Sequence, residues 1–419
     1  MSNDAPTQTI SAILCADWGK ECAKRSVYIA DVAARSVRRV SAQGWTAGGV
    51  LEEAERCSAG GPVLATFDAP IGVPESYLAA LGTLSSEPQP RDFLDLVIRA
   101  RSMPRFYDAS LDAKDWSVDR PFFSVPAGEG GLRSYIDAAA RHGVNIYRRI
   151  DRSTGAKPVF VKSGIPGSVG SAACALWQEL APRLTADRAF RVWPFEGNLQ
   201  MLLQSTAVVV GEIYPRAAYA TALLDEPVAS RAPLVVAKTD PHVRREAIEV
   251  LRAARWVRWL RVTLENLSEA EANEDDFDAC VTASALLRCT LDRSPLSSPQ
   301  LECAMSEGGI LGTGSVNLRL PHSTFVVAGR ASLPRGTAAQ TIGSRVERAR
   351  REGTVSHPAH GRAEYPCPIA GCDKVFHGSR GGWDGHVGSP RLHHGWHPEL
   401  LEAEERKRRF EIEFPDFFK

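Results

Sequence analysis

The sequence predicts an α/β protein, a mixed sheet flanked by helices, followed by a small C-terminal module of different texture. Three observations predict it. The first seventy or so residues read as strand, two alternating strands, helix, strand. Strands of this buried character recur further on and end in acids. Beyond about residue 330 the apolar periodicity gives way to a Cys/His/Gly/Trp-rich segment.

The elements follow in order. Residues 9–16 (Thr-Ile-Ser-Ala-Ile-Leu-Cys-Ala) form an apolar run that fits a strand buried on both faces, ending at Asp17. Trp18-Gly19-Lys20 is a turn. Residues 26–32 and 36–41 alternate as antiparallel strands do. An Ala/Glu-rich helix covers about 45–58, and residues 62–67 form another buried strand that ends at Asp68, with Pro70 and Gly72 stopping it. That strand can pair in parallel through the helical crossover. Residues 75–205 mix helical pieces (91–101, 131–142, 171–184) with Pro/Gly loops. A strand at 206–211 runs into Glu212-Ile213-Tyr214-Pro215. Helices are predicted over 241–264 and 275–290, the second opening with acids that suit the positive end of its dipole. Residues 329–343 read as a linker and 345–351 as a basic helix. The predicted division is therefore 1–328, a linker with basic helix over 329–364, a Cys/His module over 365–398 and a charged tail over 399–419.

Composition narrows the class. The chain has 419 residues, 44% hydrophobic and 24% charged, which is ordinary for a globular protein and unlike a disordered or fibrous one. Fifty basic and fifty acidic residues cancel, which excludes a globally basic nucleic-acid binder but not a local basic patch. No apolar stretch is long enough for a membrane helix, and the N-terminus has no basic-then-apolar leader pattern. Nine cysteines are an odd number. Cys15, Cys22, Cys57, Cys174, Cys280, Cys289 and Cys303 lie in apolar or mixed segments and read as free thiols in a reducing cytoplasm.

The acids carry the first chemical signal. Asp17, Asp68 and Glu212 end strands, and Asp275 and Asp278 share one face at the start of a helix. Strand ends at one sheet edge converge, and α/β sheets place active sites there. Carboxylates brought together repel unless a divalent cation neutralises them, and hard oxygen ligands select Mg2+ or Mn2+. Two such ions support in-line phosphoryl displacement. Taken one at a time, each acid reads first as a turn or cap residue, Asp275 and Asp276 included; it is the joint pattern that points to a site.

Ala16-Asp17-Trp18-Gly19-Lys20, Phe67-Asp68-Ala69-Pro70-Ile71-Gly72, Val192-Trp193-Pro194-Phe195-Glu196-Gly197, Gly211-Glu212-Ile213-Tyr214-Pro215 and Glu274-Asp275-Asp276-Phe277-Asp278-Ala279 occur in this order across residues 10–315. In this the chain resembles the DUF429 family of ribonuclease H-like nucleases. The resemblance implies a ribonuclease H-like fold and a two-metal nuclease or resolvase. It further implies that Asp17 bridges both ions, that Asp68 is a second ligand, and that Asp278 or Asp275 completes the site. Glu212 either joins them or bonds locally within its turn. Lys20, Lys162 and Lys238 are candidate phosphate contacts.

In the C-terminal module, Cys367 and Cys372 are followed by His386 and His393, with Phe376 and Trp383 between. Thiolates and imidazoles in this order suit tetrahedral zinc. The segment resembles a ββα C2H2 zinc finger with long spacers, His394 and His397 being competing fourth ligands. His377, Ser379 and Arg380 fall where such fingers touch bases, and Arg345, Arg348, Arg350 and Arg351 can hold phosphates. A protein contact is the alternative for the finger.

A last basic feature, Arg244, Arg245, Arg252, Arg255, Trp256, Arg258, Trp259 and Arg261, fits either a nucleic-acid face or a helix docked through its tryptophans. Three functions compete: a Mg2+- or Mn2+-dependent nuclease with a zinc-finger targeting module, a non-catalytic nucleic-acid- or protein-binding factor, and an actin/sugar-kinase-like phosphotransferase.

Overall fold

β1 (Ala12–Asp17) lies inside a mixed sheet and buries side chains on both faces. Leu14 and Ala16 face one core cluster, Ile13 and Cys15 the other, as the two-residue period of a strand demands. The computed structural model describes residues 10–84, 89–126, 131–298 and 306–326, then 364–367, 369, 375–377, 387 and 403–413. The chain divides into two units, Met1–Gly329 and Arg330–Lys419.

In the first unit, β2 (Ser26–Asp31) runs antiparallel to β1, and β3 (Ser36–Arg39) antiparallel to β2. Helix α1 (Ala47–Cys57), capped by the Thr46 hydroxyl accepting from the Gly49 amide, crosses to β4 (Val63–Phe67), which lies parallel to β1. After a long insertion come β5 (Phe190–Val192) and β6 (Val208–Ile213). Then follow α2 (Pro215–Leu223), α3 (Pro241–Ala253), α4 (Arg255–Trp259), β7 (Thr263–Leu264), α5 (Glu274–Leu291) and β8 (Ile310–Leu311). The sheet order is β7-β3-β2-β1-β4-β6-β8, with β5 pairing the first half of β6 and β8 its second half. α1 and the insertion helix Gly170–Leu180 cover one face. α5, α2 and α3 cover the other. This is an α/β unit with a mixed central sheet flanked by helices.

Two expectations change. The helix expected over 241–264 breaks at Ala254, which is extended (φ −55°, ψ 140°). The break lets Trp256 bury its ring and donate its indole N–H to Ala222 O at 2.8 Å, and lets Thr263–Leu264 pair with β3. The strand expected at 206–211 starts and ends two residues later, so Glu212 lies inside it.

In the second unit, β9 (Glu364–Pro366) pairs antiparallel with β10 (Val375–His377), and Cys367, directly after β9, is buried. His377, expected near a helix start, is thus a strand residue. Where a charged tail was expected, helix α6 (Ala403–Glu413) forms; its Arg406 is buried and donates Nε–H to Val387 O, and Phe410 is buried. Cys372, His386, His393, His394 and His397 lie outside the described residues, as do Arg345, Arg348, Arg350 and Arg351.

Candidate metal centre

Register brings the first two acids together. Asp17 is the last residue of β1, and the Asp68 amide, one residue beyond β4, donates to Ala16 O at 2.9 Å. The residues beside them lock the pair. Trp18 is buried edge-on against Phe67, with ring centroids 4.9 Å apart. Arg25 stacks over Trp18 at 3.7 Å, donates to Gly19 O and Trp45 O, and pairs with Glu179 at 2.9 Å. The turn after Asp17 is therefore pinned to α1's approach and to the insertion.

The third acid comes from α5, which packs across β1 and β2. Its N-cap is Asn273, whose side-chain oxygen accepts from the Asp275 and Asp276 amides at 2.7 and 3.2 Å. Neither Asp275 nor Asp276 is thus the cap. Asp276 turns toward the sheet, accepts from Ser26 Oγ at 2.5 Å and pairs with Arg39, which fixes α5 to β2 and β3. Two residues on, Asp278 faces the strand ends. Asp17, Asp68 and Asp278 each offer one carboxylate oxygen, and these three atoms lie within 4.8 Å of one another. Asp275 lies beside them, lining with Asp17, Gly19, Lys20, Glu21 and Lys24 a cleft of about 180 Å³. A larger cleft of about 390 Å³, lined by Arg101, Arg105, Tyr107 and Asp108 among others, holds none of these acids.

The electrostatics follow from burial and like charge. Burial first, then Asp278 and Asp68, push Asp17 well above the usual carboxylate range. Burial and Asp278 push Asp68 up to about 7. Asp278 and Asp275 are raised as well, chiefly by burial, with Lys238 opposing. Lys238 Nζ pairs with Asp278 Oδ2, and the buried Tyr219 hydroxyl donates to Asp278 Oδ1. Burial works against the Lys238 charge, but Asp278 and Asp17 outweigh it and hold the ammonium protonated. Three acids share one ammonium, so ionising all of them together calls for further positive charge. An all-oxygen donor set of this kind fits Mg2+ or Mn2+ better than a softer metal.

Glu212 stays out of this cluster. Arg148 grips both its oxygens at 2.7 Å, and the Ile71 amide donates to Oε2 at 2.7 Å. Arg148 also pairs with Asp151 at 2.8 Å, and all three side chains are buried. Its place near the end of the strand was legible, but its partner, 64 residues earlier in the insertion, carried no sequence signal. Of the three lysines, Lys238 reaches the acids, Lys20 is exposed in the adjoining cleft, and Lys162 donates to Tyr107 O at 2.6 Å instead. Tyr219 was not anticipated: it lies on α2, an alanine-rich helix whose pattern reads simply as core.

No family model, no curated protein and no solved structure matches this chain.

Proposed function

We propose that the chain is a Mg2+- or Mn2+-dependent nuclease or resolvase with a ribonuclease H-like core. The observation that carries this reading is the approach of Asp17, Asp68 and Asp278 to within 4.8 Å from three elements far apart in sequence. The strand order, with β1 between an antiparallel β2–β3 pair and a parallel β4, supports it. Asp17, Asp68 and Asp278 would hold the cations. When bound, the ions would activate water and stabilise the leaving oxygen of a phosphodiester. The chain's own residues fix geometry: Tyr219 and Lys238 orient Asp278, and the Trp18–Phe67 contact keeps Asp17 beside Asp68. Lys20 and Lys24 line the cleft where the substrate backbone would pass.

In the second unit, the paired β9–β10 and the buried Cys367 support a structural zinc held by Cys367, Cys372, His386 and His393, with nucleic acid or a protein as its target. Zinc content by elemental analysis tests it. Less than one zinc per chain in metal-replete protein would remove the finger.

The Lys238 ammonium favours one other reading, a binding factor that keeps the fold and neutralises its acids internally. A cleavage screen decides between them. Wild type and Asp17→Asn are assayed with Mg2+ and Mn2+ on single-stranded, duplex, hybrid and junction substrates. Cleavage by wild type alone, with both proteins equally folded by circular dichroism, is expected. Undiminished cleavage by the variant would end the metal-site assignment.

A further inference from the structure

The basic tryptophan segment splits in two. Trp256 is buried and bonded to Ala222 O, whereas Trp259 is 78% exposed at the end of α4. Exposed arginines surround it along the chain: Arg255, Arg258 and Arg261, with Arg35 bonded beside them through its donation to Leu260 O at 2.9 Å. Arg255 has one carboxylate, Asp225, at 3.9 Å, and Arg258 and Arg261 make no ion pair among the described residues. Arg35 and Arg261 both hold left-handed backbone, φ 52° and 55°. Glycine or asparagine is the low-strain residue there, and strain of this kind is kept where surrounding structure or function requires it. Two left-handed arginines therefore flank an exposed indole on one edge of the sheet.

We propose that this surface docks single-stranded nucleic acid, one base stacking on Trp259 and the backbone phosphates lying on Arg255, Arg258, Arg261 and Arg35. The choice of ligand rests on the nuclease reading; the surface itself does not. An indole face accepts any base, and exposed guanidiniums match a phosphate backbone. Placement agrees. Ser36, next to Arg35, pairs with Asp31, and Asp31 with Ala12, so the surface is at the end of β1 opposite Asp17. At ~3.3 Å per residue the separation along β1 is ~17 Å, within the reach of a short oligonucleotide. A strand held here can reach the acidic cluster.

The experiment measures binding of a fluorescent oligo(dT) by anisotropy in EDTA, between 50 and 200 mM salt, with the full chain. Trp259→Ala should weaken binding roughly ten-fold. Arg261→Gly removes one phosphate contact while easing the backbone, so the salt slope should fall by about 0.7 with no loss of melting temperature. Unchanged affinity and slope in both variants would overturn the proposal. So would Trp259-dependent binding to phosphatidylserine vesicles without Trp259-dependent binding to oligo(dT). If wild type never cleaves but Trp259 still governs oligo(dT) affinity, the nuclease reading fails and this surface stands. If wild type cleaves and Trp259→Ala binds normally, the reverse holds.

Discussion

Two carboxylate groups sit on neighbouring strands and have opposite fates. Asp68 follows Phe67 at the end of β4, and Glu212 is the residue opposite Phe67 on β6. Glu212 is closed: every oxygen has a donor, and the Arg148 guanidinium answers both Glu212 and Asp151. Burial opposes the Arg148 charge, but the two acids outweigh it and hold it protonated. Asp17, Asp68 and Asp278 are open: three acids share one lysine, and the pKa of each is raised, as burial also raises that of Glu212, but with no guanidinium among the described residues gripping both oxygens. A closed ionic group contributes to the fold. An open one is held in place by the rest of the fold at a cost in stability, as expected of a site that takes a ligand.

Breaking the closed group should give the largest effect. Arg148→Met strands Glu212 and Asp151 as buried, unpaired acids, which typically costs about 3–5 kcal/mol. The urea midpoint of the first unit should drop accordingly, and Asp151→Asn, which leaves Arg148 with Glu212, should lose clearly less. Equal stability of Arg148→Met and wild type would mean that the ion pairs hold nothing together.

The open group should behave in reverse. Asp17→Asn puts a neutral isostere where burial and the neighbouring acids already disfavour a charge, so metal-free melting temperature should hold or rise while the proposed metal-dependent cleavage disappears. A marked fall in metal-free stability would place Asp17 with Glu212 as a structural acid.

What the sequence revealed divides along the same line. β1, β2, α1 and β4 were readable because their apolar periodicity is local and their ends carry Asp17, Trp18-Gly19 and Pro70-Gly72. The start of α5 was readable from Glu274 to Asp278, but neither its Asn273 cap nor which acid turns where: Asn273 capping sends Asp276 to Arg39 and leaves Asp278 to the strand ends. The insertion was not legible, and with it went Arg148, because an ion pair across 64 residues leaves no spacing to read. Likewise, nothing in 241–264 marks Ala254 as the break. The break follows from where Trp256 packs.

Acidity sharpens the contrast further. Asp68 keeps its proton up to about pH 7 in the folded chain, against about 3.9 for an ordinary aspartate. Folding therefore takes up protons between about pH 4 and pH 7, and a raised carboxyl pKa stabilises the fold as pH falls through that window. Metal-free protein should melt higher at pH 5.5 than at pH 8, and Asp68→Asn should flatten the difference. Saturating Mg2+ should abolish or invert the trend, because protons then compete with the cation. A slope that is identical in wild type and Asp68→Asn would separate the pH dependence from this cluster.

The smallest change concerns Tyr219. Its hydroxyl is buried, stays protonated because burial and Asp278 both disfavour the phenolate, and donates to Asp278 Oδ1. Tyr219→Phe deletes one oxygen and leaves the ring packed beside Phe277. A hydrogen bond to a charged group contributes about 1.5–3 kcal/mol, so the loss in stability should be about half that for Arg148→Met. The partner of a metal ligand also sets ligand orientation, and removing it typically costs about 10–100-fold in metal affinity or activity. If the proposed cleavage holds, the Mg2+ concentration for half-maximal rate should therefore rise, while the rate at saturating Mg2+ changes little. That split separates a positioning role from a direct one. If the saturated rate falls and the Mg2+ dependence stays put, Tyr219 acts on the substrate rather than through Asp278.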